Sequence, residues 1–328
     1  MSALPAPVTA PARKAGRRRD RFREWRRGFR LRETWAAYAF LSPWIFGFVV
    51  LTLGPMIASL ILSLTNYDVI GSARFVGTAN YALMIHDPQV TSALRNTLIY
   101  TVLNVPLTMI VSLFLAMILT RVGRAGSLFR TAFYLPVMTP AVATGILYLL
   151  LFNGSYGIVD KVLGFFGIPG PYWTTDPTWI KPGLVLMSLW GVGSNVVIYY
   201  AAIRGVPPRL YEAAAMDGAS SWQRFKDITL PMISPALFFT FIVLTIGGLQ
   251  TFTQAYTAFF NTGTNNSGQG STAALFYVIY LFQQGFSNLH MGYASALAWA
   301  LFVVIGLITV VQLLVSRRFV YYEGGQRR

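Results

Sequence analysis

LYEAAAMDGASSWQRFKDITLP, from Leu210 to Pro231, is a polar island between two long apolar runs. The flanking runs, Pro182 to Ile203 and Pro235 to Phe260, contain no Asp, Glu, Lys, Arg or His. Each has at least the ~20 residues a helix needs to cross a ~30 Å hydrocarbon core. The island carries Glu212, Asp217, Arg224, Lys226 and Asp227. It cannot share the lipid environment of its neighbours, because one charge at the bilayer centre costs roughly 3 kcal/mol or more. It lies in water and is free to meet something there.

The pattern extends outward. Four further uncharged runs, Ala36 to Leu64, Asn96 to Thr120, Thr131 to Phe152 and Tyr293 to Val315, bring the total to six. Composition agrees: 55% of the 328 residues are hydrophobic and 11% charged, whereas soluble domains carry about a quarter charged residues. The expected fold is an all-α integral membrane protein with six transmembrane helices. Residues 36–316 form the membrane domain, with a loop at 204–234 and tails at 1–35 and 317–328. Two shorter apolar stretches, Ser155 to Ile168 and Thr272 to Phe286, read as interfacial or re-entrant pieces.

Lys and Arg set the orientation. With both termini cytosolic, 22 basic residues lie inside and four outside, the four being Arg74, Arg95, Lys161 and Lys181. This is the asymmetry the positive-inside rule requires. Counting one short stretch as a span would move Arg317 and Arg318 outside. The net charge of +15 therefore has a membrane explanation. The arm from Arg17-Arg18-Arg19 to Arg27 reads as a lipid-binding, orienting tail rather than a nucleic-acid site, and the Ala- and Pro-rich residues before it have the composition of disorder. No apolar h-region precedes the arm, so the first span is the expected insertion signal. The absence of cysteine excludes disulfides, thiolate metal sites and cysteine catalysis. His86 and His290, in predicted outer loops, stand near no carboxylate cluster, which argues against a metal site.

Within the island, Pro207 and Pro208 suit the first turn of a helix starting near Arg209. That helix places Leu210, Ala213 and Ala214 on one face. Asp217-Gly218 ends it, with Gly218 available for a left-handed cap. Ser220 and Gln223 form a capping-box pattern opening a second helix through Trp222, Phe225 and Ile228, expected to close at Pro231. These signs describe a helical hairpin with a small-residue face and an acidic rim. Alone, they fit an ordinary cytosolic loop equally well.

The spacing says more. Glu212-Ala213-Ala214, three residues, Gly218, nine residues, then Ile228, Leu230 and Pro231 resembles the EAA signature of membrane subunits of bacterial ATP-binding-cassette importers. Leu41 to Phe48 (LSPWIFGF), Phe75-Val76-Gly77 with Asn80-Tyr81, Asn96-Thr97-Leu98, Phe129-Arg130 before Leu135-Pro136, and Met291 to Ala296 resemble the carbohydrate branch of that family, the subunit type of maltose, oligosaccharide and glycerol-3-phosphate importers. The resemblance implies that the hairpin is a coupling helix seated on a separate ATPase. Glu212 would pair with a basic residue there, Ala213 and Ala214 would form the packing face, Gly218 the turn, and Asp217, Ile228, Leu230 and Pro231 the rest of the coupling element. It also implies a second related permease subunit, two ATPase copies at the cytosolic face that hold ATP and magnesium, and an external sugar-binding protein. No cofactor is expected on this chain. The two additional N-terminal spans and the long outer domain of the larger maltose subunit are missing here.

Inside the spans, no ionisable residue is available for proton or sodium coupling, which argues for a neutral cargo. Ser188, Asn195 and Tyr199 fall at i, i+7 and i+11, one face of a continuous helix. Gln250, Thr253, Gln254 and Thr257 form a second such face, with Tyr256 beside it. Amides and hydroxyls with flat aromatic surface suit a sugar, so Asn195, Tyr199, Gln250, Thr253, Gln254 and Tyr256 are the candidate path residues. The competing reading is that they join helices by hydrogen bonds. Pro43, Pro55, Pro106, Pro136 and Pro140 read as bundle-shaping kinks. Tyr172-Trp173, Trp179 and Thr262 to Ser271 could meet a binding protein, or serve as interfacial anchors.

The leading reading is a non-catalytic translocation subunit of an ATP-driven sugar importer in the bacterial inner membrane. Without GxxxxGK[ST] the chain cannot cradle nucleotide in the P-loop manner. A glycerol-3-phosphate importer is the near alternative. A secondary carrier predicts intramembrane charges or inverted repeats, and a membrane enzyme predicts a cluster of His, Asp, Glu or Ser near one face; neither is present in the sequence.

Overall fold

The computed structural model describes residues 33–122, 126–154, 156–260 and 272–319, with side chains to residue 316. The basic arm, the C-terminal tail beyond 319 and the loop from Thr262 to Ser271 lie outside the described residues.

Residues up to Ile61 belong to a unit of their own. Its helix, α1 (Glu33–Ser63), exposes apolar side chains such as Phe40, Trp44 and Leu51 around its length, as a lipid-facing helix does. A π-turn, Val49–Leu53, is closed by the Gly54 N–H on the Val49 carbonyl directly ahead of Pro55. Proline has no N–H to continue the ladder, and widening the turn passes over the gap.

The second unit starts at Leu62. A two-residue ribbon, β1 (Thr65–Asn66) antiparallel to β2 (Arg74–Phe75), leads to α2 (Ala79–His86) and then α3 (Pro88–Arg121). Eight residues separate the start of α3 from the run expected at Asn96. Asp87 caps it, Oδ1 accepting from the Gln89 N–H at 2.9 Å, so the polar first turns are helical without being apolar. At 1.5 Å per residue the helix is about 51 Å long, more than the hydrocarbon needs. It passes through Pro106 unbroken and is the central post of the bundle.

Packed on that post are α7 (Pro177–Ser188), α8 (Gly193–Gly205), α11 (Ser234–Leu249) and α13 (Tyr277–Phe282). Helix α5 (Ala141–Leu151) follows α4 (Gly126–Tyr134) and packs on α12 (Thr253–Phe259). That crossing needs Gly145, where a Cβ would stand 2.8 Å from the Gln254 carbonyl oxygen and 2.9 Å from Thr257 Cβ. The last helix, α14 (Met291–Phe319), packs on α2, α11 and α13. The short α6 (Ile158–Phe165) and α13 occupy the two stretches left outside the span count.

Among the described residues, four continuous helices are long and apolar enough to cross a membrane, and the number is up to six if each of two bent pairs is one span. Gly126–Met138 meets Ala141–Leu151 at 95°, and Pro177–Gly191 meets Gly193–Gly205 at 55°. The first bend falls at Thr139, extended at ψ 126° ahead of Pro140, because a residue before proline avoids helical geometry. The second corrects an expectation: Ser188 closes α7 while Asn195 and Tyr199 belong to α8, so the three do not lie on one continuous helix. Likewise Gln250 caps α11 and Thr253 opens α12, so the glutamine face of the fifth run is split by a short break.

Candidate functional site

The hairpin begins with α9 (Pro208–Met216). Its end is a Schellman turn: the Ala219 N–H reaches the Ala214 carbonyl at 2.9 Å and the Gly218 N–H the Ala215 carbonyl at 3.2 Å. Gly218 sits at φ +76°, which costs a glycine little. Ser220 then accepts from the Gln223 N–H at 3.3 Å, while Gln223 Oε1 accepts from the Ser220 N–H at 2.7 Å, completing the capping box of α10 (Ser221–Arg224). The second arm does not close at Pro231. A π-turn, Phe225–Thr229, precedes the proline as it does at Pro55, and the helix continues through Pro231 to Met232. The widened turn removes the need for the missing N–H.

The hairpin presents apolar side chains to water. Met216 is 86% exposed and Trp222 68%, with Leu210 and Leu230 also exposed. Glu212, Ala213, Asp217 and Gly218 are exposed on the same element, whereas Ala214, Ile228 and Pro231 are half-buried. Glu212 makes no ion pair among the described residues. The arms are joined by the Tyr211 and Thr229 hydroxyls, 2.9 Å apart. A cavity of about 340 Å³, lined by Thr120 and Arg121 of α3, Ile203 of α8 and Tyr211, Arg224 and Phe225 of the hairpin, marks where the hairpin meets the bundle.

The structure sorts the polar residues of the spans. Tyr199 is fully buried with its hydroxyl 2.5 Å from Thr240 on α11, so in this state it joins two helices. Ser188 is similarly engaged, donating to Asn104 Oδ1 of α3. Asn195, Thr253 and Gln254 are half-buried and Gln250 is exposed, and none of the four side chains has a hydrogen-bond partner among the described residues. Unspent amides in an apolar bundle are the groups that can hold water or a polar cargo. Tyr256 stacks on Phe252 at 5.0 Å and Phe260 at 6.1 Å and meets Phe282 edge-on at 5.1 Å. This aromatic bank, with Phe282 brought from α13, offers flat C–H-binding surface beside Gln254.

Other polar pairs were not singled out by sequence. Gln312 of α14 donates to Thr245 of α11 at 2.9 Å; a lone glutamine in an apolar run was the available signal. At the end of the bundle remote from the hairpin, Asp87 Oδ2 accepts from the Tyr280 hydroxyl at 2.5 Å and the Tyr293 hydroxyl at 2.8 Å. Burial pushes the Asp87 carboxyl up, but these hydroxyls and the Gln89 and Val90 N–H groups outweigh it and hold it below its ordinary value of 3.8. Burial and the facing carboxylate push the Tyr280 hydroxyl up. No group of three or more metal-ligating side chains occurs among the described residues.

Residues 108–321, which include the hairpin, match the family described as binding-protein-dependent transport system inner membrane component. The chain is 38% identical over 291 residues to the probable ABC transporter permease protein YesP of Bacillus subtilis, covering 88% of this chain and 92% of that protein. It is 34% identical over 288 residues to the lactose transport system permease protein LacF of Rhizobium radiobacter, covering 85% and 93%. A solved bacterial ABC transporter chain, involved in the import of the acidic polysaccharide alginate, superposes with a TM-score of 0.76 at 25% identity, covering 91% of this chain and 100% of that one. The polar hairpin, its EAA spacing and the helical bundle above it thus have one common reading: this chain is a multi-pass membrane protein that belongs to the family of binding-protein-dependent transport system inner membrane components.

Proposed function

We propose that the chain is the translocation subunit of an ATP-driven importer for a sugar or oligosaccharide, coupled through residues 208–232 to a separate ATPase. The observation that carries this reading is the hairpin itself: a capped element with exposed Leu210, Met216 and Trp222, together with an exposed Glu212 that makes no ion pair among the described residues. Exposed apolar surface ringed by charge is the anatomy of a protein contact. The Lys and Arg asymmetry supports a cytosolic hairpin and cytosolic termini, where hydrolysis of magnesium-bound ATP on the ATPase would supply the energy. The lactose and alginate systems among the similar proteins support a carbohydrate cargo. The remaining partners are a related permease subunit, a second ATPase copy and an external binding protein.

Cargo would pass the free amides Asn195, Gln250 and Gln254 and the Tyr256 bank. Tyr199 enters such a path only if the α8–α11 contact opens during alternating access. The test is ATP hydrolysis by the reconstituted complex with and without sugar-loaded binding protein. Glu212→Ala is expected to abolish the sugar-stimulated component or release the ATPase on co-purification. Unchanged stimulation and association would overturn the coupling role.

A further inference from the structure

At the end of the bundle remote from the hairpin lies an open cavity of about 660 Å³, bounded by the first turns of α3 and α7 and the segment before α13. Its lining carries two cations, Arg95 and Lys181, with Ser92, Asn96, Thr178 and Thr272, and no carboxylate among the described residues. Lys181 is half-buried and held in place: Nζ donates to Asn96 Oδ1 at 3.1 Å and to the Ala273 carbonyl at 3.4 Å. Asn96 is itself buried and fixed by donating to the Thr272 and Leu275 carbonyls at 2.9 and 3.1 Å. An ammonium has three donors, so one remains for a ligand. Arg95 is exposed and makes no hydrogen bond or ion pair among the described residues, which leaves its guanidinium open.

The neighbouring acids are committed elsewhere. Asp176 caps α7 by accepting from the Thr178 N–H at 2.8 Å, and Asp87 holds Tyr280 and Tyr293. Residues 261–271, which precede Thr272, contain no charged side chain in the sequence. Two cations facing one cavity repel each other, and an anion between them relieves that repulsion while accepting charge-assisted hydrogen bonds. The hydroxyl and amide groups around them match saccharide hydroxyls, and the volume suits a small ligand rather than a macromolecule.

We propose that this cavity receives an anionic saccharide on its way into the bundle, with the carboxylate between Arg95 and Lys181 and the sugar hydroxyls against Ser92, Thr178 and Thr272. The proposal rests on the carbohydrate-importer reading and refines it. It revises the neutral cargo expected from the uncharged spans: the carboxylate is met by Arg95 and Lys181 at the outer mouth, and the spans beyond offer it neutral hydrogen-bonding groups.

The test is equilibrium binding, without turnover, of a galacturonic acid disaccharide and of the neutral galactose disaccharide to the purified complex in detergent. Arg95→Gln, an exposed change, is compared with Lys181→Arg, which keeps the charge. The expected result is preference for the acidic disaccharide, lost roughly tenfold in Arg95→Gln and retained in Lys181→Arg. Equal binding of the two disaccharides, or an acidic preference untouched by Arg95→Gln, would overturn the proposal. So would displacement of the acidic disaccharide by phosphatidylglycerol, which would make the cavity a lipid-headgroup site. The importer reading is judged separately by the Glu212→Ala hydrolysis assay, so either can fail without the other.

Discussion

The Tyr211 hydroxyl lies 2.9 Å from the Thr229 hydroxyl, and this one bond joins the two arms of the hairpin. Thr229 is buried at the foot of a π-turn, whereas Tyr211 is on the arm that carries Glu212. In the proposed coupling, this bond would pass a push on the first arm to the second, which leads into α11. Tyr211→Phe removes the bond without a change of shape and should cost about 1 kcal/mol. The expected outcome is an assembled complex with a lowered melting temperature and reduced sugar-stimulated ATP hydrolysis, read against unchanged basal hydrolysis.

Gly218 is the second vulnerable point of the hairpin. At φ +76° a Cβ is strained even though nothing lies within 4 Å of it. Gly218→Ala should cost about 1–2 kcal/mol, and Ser220→Ala about 1 kcal/mol through the lost cap. Both should weaken co-purification of the ATPase. Equal retention of the ATPase by Gly218→Ala would show that the turn is not part of the docking surface.

The free and engaged polar groups of the spans make opposite predictions. Gln254→Ala breaks no hydrogen bond among the described residues, so stability should stay within about 0.5 kcal/mol while uptake falls. Tyr199→Phe removes the bond to Thr240 and should destabilise by about 1 kcal/mol. Melting temperature and the substrate concentration for half-maximal uptake, measured on both variants, separate a path residue from a helix tie.

Gly145→Val tests the α5–α12 crossing. The added atoms would press on the Gln254 carbonyl and the Thr257 side chain, an overpacking worth about 1–3 kcal/mol. The expected result is loss of both stability and uptake, with the hairpin's hold on the ATPase intact.

Asp87 predicts a pH dependence. Its folded pKa is below the ordinary value of 3.8, so its contribution is fully present above that value and is lost as pH falls through the lower folded value. Asp87→Asn weakens the acceptor for Tyr280 and Tyr293 and does not titrate. The melting temperatures of the wild-type protein and Asp87→Asn should differ at neutral pH and converge below pH ~4; a constant gap would rule out this role for the carboxylate.

What could be read along the chain was set by solvent and by near neighbours. Lipid penalises charge, so the uncharged runs announced helices long and apolar enough to cross a membrane, and Lys and Arg counts gave the orientation expected of them. The left-handed turn at Gly218 and the Ser220–Gln223 capping box each close within a few residues, and both stand where sequence placed them. The second arm runs past Pro231 to Met232 because a π-turn absorbs the proline, a solution that residue type alone does not reveal. Only tertiary structure decided which polar side chains are consumed by other helices, as Tyr199 is by Thr240 and Gln312 by Thr245, and which, like Asn195 and Gln254, remain available. It alone brought Lys181 against Asn96 beside Arg95. The physical reason is the same in each case: hydrogen-bond satisfaction and charge proximity depend on distances between residues remote in sequence, and those distances exist only once the helices have packed.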